Sequence, residues 1–307
     1  MGSNARYKAF MAPEASDDGD LLQFENYNAT LSEIDASKLP LLHELAMSVF
    51  WPHRGRDISL FIKLGQGYIA LDEIGRPLGS AMYFPLGDDF AMLGMMVVTP
   101  RLQGGGAGRR LLRRIMRECE GRELRITATR SSRSFYEAAG FEPVCEIIQQ
   151  QGVAKPIKLP EPLPGLILRP MTPADHPAVL ELDRVAYGAD RTRIMEALFP
   201  ISEGIVALRD GKVVGYAMKR PFGRGTVVGP IVAPDDDTAM QMAAPLVKAC
   251  EGKFTRVDSA EDNARFRAFL SAAGLGVYDT VTEMRLGEAR RPMTGTRVFG
   301  MASHSLG

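Results

Sequence analysis

From Ala91 to Val98 the chain is almost continuously apolar, the pattern of a strand buried on both faces. A glycine-rich stretch follows. It leads into Leu111, Leu112, Ile115, Met116 and Cys119, whose spacing predicts an amphipathic helix over 106–119. Upstream, a short strand is expected over 27–31. A helix is expected over 37–49, with Leu41, Leu42, Leu45, Met47 and Val49 as its apolar positions, and a second short one over 58–64. Strands are expected over 67–71 and 78–84, joined by a turn at Gly75-Arg76-Pro77. Downstream come a strand over 124–129 and a helix over 131–139, stopped by Gly140 at a C-cap position.

The second half repeats this order. A strand at 166–169 precedes Thr172, an N-cap with Pro173 at the first helical position, and the helix runs to about Val185. A helix over 191–198 follows, then a hairpin of 205–208 and 213–218 turning at Asp210-Gly211. A strand over 226–232, a helix, a strand over 256–259 and a helix over 263–273 complete the set, and Gly274 stops the last. Phe135-Tyr136-Glu137-Ala138-Ala139-Gly140-Phe141 parallels Phe269-Leu270-Ser271-Ala272-Ala273-Gly274-Leu275. The pattern predicts a duplicated α+β fold rather than a short-period repeat array. Pro156, Pro160, Pro162 and Pro164 mark a linker over 152–165. The expected domains are therefore 25–151 and 166–287, with an irregular tail over 288–307.

Composition narrows the function. The chain has 307 residues, and 37 Lys+Arg balance 37 Asp+Glu. That neutrality removes a bulk electrostatic drive toward nucleic acid or an anionic membrane. No run approaches the about 18 apolar residues of a membrane span, and Asp17, Asp18 and Asp20 sit where a signal-peptide core would lie. The three cysteines and four histidines show no metal-ligand spacing, so no metal is expected. A reduced, cytoplasmic location is the simplest expectation.

The chemistry sits in Val98-Thr99-Pro100-Arg101-Leu102-Gln103-Gly104-Gly105-Gly106-Ala107-Gly108-Arg109. A helix N-terminus offers unpaired N–H groups and partial positive charge, and glycines let a phosphate approach the backbone. Arg109 and Arg110 add charge there. No Lys-Ser/Thr follows the last glycine, as a Walker loop needs, and Arg109 stands at the third glycine of a Rossmann fingerprint. The segment resembles the acetyl-CoA motif of the GNAT acyltransferase superfamily, with Val98, Pro100, Gln103, Gly106 and Gly108 matching position by position. The element order before it and the block from Ser134 to Phe141 are similar too. The first half resembles that family over about 25–150, and the second half only in outline.

The resemblance implies two tandem domains, each a mixed, mostly antiparallel sheet flanked by helices. It implies acetyl-CoA as the acyl donor and an amine acceptor, on a small molecule or a protein. The backbone of Met96, Val97 and Val98 would pair with the pantetheine arm. Gly104, Gly105, Gly106, Ala107, Gly108 and Arg109 would hold the pyrophosphate. Tyr136 matches the family tyrosine near the thioester sulfur, a general acid, although an aromatic packed on the core is the plainer reading. Trp51 and His53 fall where the acceptor pocket lies; a core plug is as good a reading of that tryptophan. Two departures stand out. Thr129 replaces the family asparagine as a cofactor-binding residue whose hydroxyl can still reach the cofactor, and Met92-Leu93-Gly94-Met95-Met96 carries no glutamate base. Asp88, Asp89 and Glu123 are base candidates by nearness in sequence, against a plain surface role. The missing base leaves open an acyl-CoA sensor without turnover. In the second half, Asp235-Asp236-Asp237 replaces the glycines and Leu270 the tyrosine, so no cofactor is expected there. Asp258, Glu261 and Asp262 are either helix caps or contacts to a cationic substrate.

Overall fold

The computed structural model describes residues 2–12, 21–24, 27–288 and 295–307. The chain forms two compact units, Met1–Pro143 with Met284–Glu288, and Val144–Glu283 with Ala289–Gly307. Residues 13–20 and the 289–294 part of the expected tail lie outside the described residues. No helix among the described residues is long and apolar enough to cross a membrane.

Unit 1 contains α1 (Ser3–Met11), β1 (Leu21–Phe24), β2 (Tyr27–Glu33), α2 (Leu39–Ser48), α3 (Gly55–Leu64), β3 (Gln66–Leu71), β4 (Pro77–Leu86), β5 (Phe90–Val98), α4 (Ala107–Glu118), β6 (Glu123–Ala128) and α5 (Arg133–Ala138). Its strands lie in the order β1-β2-β3-β4-β5-β6, antiparallel up to β5, with β5 and β6 parallel. The α4 stripe is buried as its spacing requires: Leu111, Leu112 and Ile115 are fully covered and share a core with Leu78, Leu93, Ile126 and Phe141. Residues 3–11 form a helix with one buried aromatic, Phe10.

Unit 2 holds most of β7 (Glu142–Val153), then β8 (Ile167–Pro170), α6 (His176–Tyr187), α7 (Thr192–Leu198), β9 (Glu203–Arg209), β10 (Lys212–Phe222), β11 (Gly225–Ala233), α8 (Asp236–Lys248), β12 (Phe254–Ala260), α9 (Ala264–Ala272), most of β13 (Gly276–Leu286) and β14 (Arg297–Gly300). β8 to β11 are antiparallel neighbours, and β11 and β12 run parallel, repeating the unit 1 pattern. α8 and α9 bury Met242, Ala243, Val247, Phe266 and Leu270 against Val228 and Ile231.

The units part at residue 143, not at the proline-rich stretch. That stretch has no regular structure over 154–163, as the prolines require, yet it lies within unit 2. The element that changes sides is β7, which the sequence pattern does not announce. It pairs antiparallel with β12, Ile148 opposite Ser259 and Gly152 opposite Thr255. Gln150 fixes it there: its Nε2 donates to the carbonyls of Arg267 and Leu275 and to Ser271 Oγ at 3.0–3.1 Å. In exchange, the end of β13 returns to unit 1, where Met284 is buried in the core.

Candidate cofactor site

The geometry starts from a bulge. Ser80 pairs with Val97 and Met82 with Gly94, so Ala81 alone faces both Met95 and Met96. Met95 takes φ +49°, rare for a side chain of that size, and Ser80 Oγ donates to its carbonyl at 2.7 Å. Ser80 is fully buried. On the other side of β5, pairing with β6 stops at Leu93–Ile126. Gly94–Val98 therefore turn an edge with no ladder partner among the described residues toward the gap. This is the edge that sequence reasoning assigns to Met96, Val97 and Val98.

The edge runs directly into the loop. A 3-10 turn covers Pro100–Leu102, and Gln103 Nε2 donates back to the Val98 carbonyl at 3.0 Å. Gly104 and Gly106 adopt φ +90° and +84°, and Gly106 is the left-handed N-cap of α4. A Cβ on either would meet nothing within 4 Å, so these glycines serve the backbone conformation and leave open space before the helix N-terminus. Gly105 N–H donates to the Leu102 carbonyl at 3.4 Å, so the N–H groups at the helix start that could serve an anion such as a pyrophosphate are those of Gly106, Ala107 and Gly108. A Cβ on Gly108 would sit 3.6 Å from Phe135 and 3.7 Å from Val98. The end of β5, the first turn of α4 and α5 therefore meet at one point.

Tyr136 follows Phe135 on α5. Its ring packs edge-on to Phe135 and Phe141, and it is buried in the unit 1 core. Burial raises the phenol pKa well above its usual value, which keeps the hydroxyl protonated. That hydroxyl makes no hydrogen bond among the described residues. Thr129 ends β6. Its Oγ1 lies 3.1 Å from Ser131 Oγ and 3.0 Å from Ser132 Oγ, and its carbonyl accepts the N–H groups of Ser132 and Arg133. Thr129 thus shapes the turn into α5.

Arg109 is placed otherwise than the sequence implies. Its guanidinium lies over the Phe10 ring, 4.7 Å from the centroid, and donates to the Ala9 and Phe10 carbonyls at 3.3 Å. Arg113 donates to the Phe10 carbonyl as well. The C-terminal end of α1, where carbonyls carry partial negative charge, is thus docked on α4. Only the aromatic at position 10 signals this contact in the sequence.

The carboxylate candidates for a base are at the wrong end. Glu123 and Asp89 flank the start of β5 and β6, with Glu123 N–H donating to the Asp89 carbonyl and Phe90 opposite Glu123. At about 3.3 Å per residue, Phe90 lies roughly 26 Å from Val98. Glu123 is buried beside Arg125, its Oε1 accepting from Nε at 3.0 Å. Nearness in sequence to the loop is undone by the strand direction.

Trp51 and His53 join α2 to α3. Their rings begin a run of edge-on contacts that continues through Phe61 to Phe84 of β4, with centroids 5.4–5.7 Å apart. Trp51 and His53 are half-buried, whereas the neighbouring Phe50 is 94% exposed at φ +59°.

In unit 2 the aspartates at the matching loop are all engaged. Asp235 caps α8 through Thr238 N–H, Asp236 accepts from Phe266 N–H, and Asp237 pairs with Arg265. Leu270 fills the core position matching Tyr136. Asp258 is fully buried and held by Arg256 at 2.7–2.9 Å, which removes it as a surface contact for a cation.

Two family profiles, each described as an acetyltransferase (GNAT) domain, match residues 63–143 and 179–300. The chain is 23% identical over 266 residues to YitH of Bacillus subtilis (strain 168), described as an uncharacterized N-acetyltransferase, covering 84% of this chain and 91% of that protein. Among solved structures it is similar to a candidate acetyltransferase from Pyrococcus horikoshii (TM-score 0.74, 17% identity, 93% of this chain and 98% of the other). It is also similar to a tandem GNAT protein from the clavulanic acid biosynthesis pathway (TM-score 0.62, 17% identity, 85% and 99%). The two profile matches cover one GNAT domain in each half, and the chain belongs to the GNAT N-acetyltransferase superfamily as a protein with two such domains in tandem.

Proposed function

We propose that unit 1 transfers an acetyl group from acetyl-CoA to a primary amine of a small molecule or protein. One observation carries this reading: the unpaired edge of Gly94–Val98 ends at an open, glycine-lined helix N-terminus. An extended arm bearing amides suits the edge, and a pyrophosphate suits the loop. The thioester carbonyl would then lie beside the backbone of the bulge, where N–H groups can polarise it. The amine nitrogen attacks that carbon, the C–S bond breaks, the Tyr136 hydroxyl gives its proton to the leaving sulfur, and the proton shed by the amine returns through water to the phenolate. Orientation in the cleft supplies the remaining acceleration. Trp51 and His53 are the proposed walls for the acceptor.

The lack of a carboxylate in the strand segment Met92-Leu93-Gly94-Met95-Met96 favours a second reading, an acyl-CoA sensor without turnover. Release of free thiol from acetyl-CoA across a panel of amines separates the two. Acceptor-dependent release supports the enzyme. Saturable binding with no release under any acceptor overturns it in favour of the sensor.

A further inference from the structure

The matching cleft of unit 2 is built the same way and then filled. Parallel pairing of β11 and β12 is confined to Thr226–Thr255 and Val227–Arg256, so the strands separate just as β5 and β6 do. Beyond that point the edge of β11 is not open. β14 runs antiparallel along it, with Ile231 opposite Gly300, Val232 opposite Val298 and Ala233 opposite Arg297. On its other flank, Met301 N–H donates to the Asp258 carbonyl of β12 at 2.9 Å, and Asn263 Nδ2 donates to the Val298 carbonyl at 3.1 Å. The segment is held on both sides by the strands that diverge around it.

Its side chains are held as firmly. Phe299 is fully buried, edge-on to Phe266 at 5.6 Å, and Ala302 and Leu306 are fully buried too. Gly229 faces the Met301 carbonyl so closely that a Cβ would lie 2.0 Å from it, which leaves no room for a side chain. Arg220 donates to the Ala302 carbonyl at 2.8 Å and Arg191 to that of Leu306 at 3.0 Å. Charge agrees: Arg297 reaches Asp236 at 3.4 Å, so the acidic turn that would repel a pyrophosphate accepts a cationic strand.

We propose that residues 297–301 are the permanent occupant of the second domain's cofactor cleft, a strand of the chain's own backbone in the place where unit 1 takes the acyl-CoA arm. The inference rests on the reading of β5 given above. The chain then has one acyl-CoA site, and the second domain keeps the fold of a transferase with its cleft closed by its own C-terminal segment. A soluble ligand would have to replace several backbone hydrogen bonds and unbury Phe299, which sets it at a heavy disadvantage.

Hydrogen exchange on the full chain, with and without saturating acetyl-CoA, tests this. The expected result is slow exchange over 231–233 and 297–301 that acetyl-CoA does not alter, beside fast exchange over 94–98 that acetyl-CoA slows. Fast exchange over 231–233 in the free protein, new protection there on adding acetyl-CoA, or a calorimetric stoichiometry of two each overturns the proposal. No change over 94–98 instead overturns the reading of unit 1 and leaves the exchange over 231–233 to judge the tail. As a second arm, Arg297→Asp places like charges together at an exposed position. It should speed exchange over 231–233 several-fold and leave 94–98 unchanged; equal exchange in the variant would show that the strand is not docked through this contact.

Discussion

Ser80 Oγ donates to the carbonyl of Met95 at 2.7 Å, across the bulge at which β5 leaves β6. The bond stabilises a left-handed methionine and, through it, the direction of the edge formed by Met96, Val97 and Val98. Ser80→Ala leaves a buried carbonyl without its donor, at a cost of about 1–2 kcal/mol. Urea unfolding should show that loss, and calorimetry a weaker acetyl-CoA affinity. Wild-type affinity in the variant would mean that the bulge holds its shape without the hydroxyl.

Gly106→Glu should abolish acetyl-CoA binding while the fold survives. A Cβ at this position has open space around it, so the folding cost is the left-handed backbone, about 1 kcal/mol. The carboxylate would stand where the pyrophosphate is expected. Gly106→Asn tolerates the same φ without the charge and should keep most of the affinity. Equal binding by wild type and the glutamate variant removes this loop as the phosphate site.

Tyr136→Phe should lower the single-turnover rate by about 10²–10⁴-fold and leave acetyl-CoA affinity nearly unchanged. The ring contacts to Phe135 and Phe141 persist, so melting temperature should hardly move. Because burial raises the phenol pKa, the acid form persists up to and beyond pH 10, and the tyrosine should impose no alkaline loss of rate below that pH. An equal chemical rate in the variant assigns Tyr136 to core packing alone.

Acid should loosen the closed end of unit 2. Burial pushes His304 from 6.5 down to about 4, against the pull of Asp258 and Asp279 and with that of Arg256. Between those pH values the unfolded chain binds a proton that the folded chain does not, so stability falls as pH falls through the window and levels off below it. The side chain is 26% exposed, which limits the effect to about 2 kcal/mol. Urea midpoints at pH 7 and pH 4.5, compared with His304→Gln, read this out. A slope unchanged in the variant assigns the acid sensitivity to other groups.

The candidate site was legible wherever the signal is local. The continuous apolar run of β5, the stripe on α4 and the glycines between them fix a strand, a loop and a helix from neighbouring residues alone, since periodicity and left-handed φ need no distant partner. The duplicated order of elements was equally legible. What the sequence leaves open is which edge a strand joins. β7 pairs with β12, the end of β13 returns to the unit 1 core, and β14 fills a cleft it does not help to form. Those choices rest on contacts such as Gln150 to Leu275 and Met301 to Asp258, and no short-range pattern encodes them. Strand direction likewise carries Glu123 to the far end of the sheet, and one aromatic, Phe10, draws α1 onto Arg109. Local spacing decides what an element is; the backbone groups and apolar faces it must satisfy at long range decide where it goes.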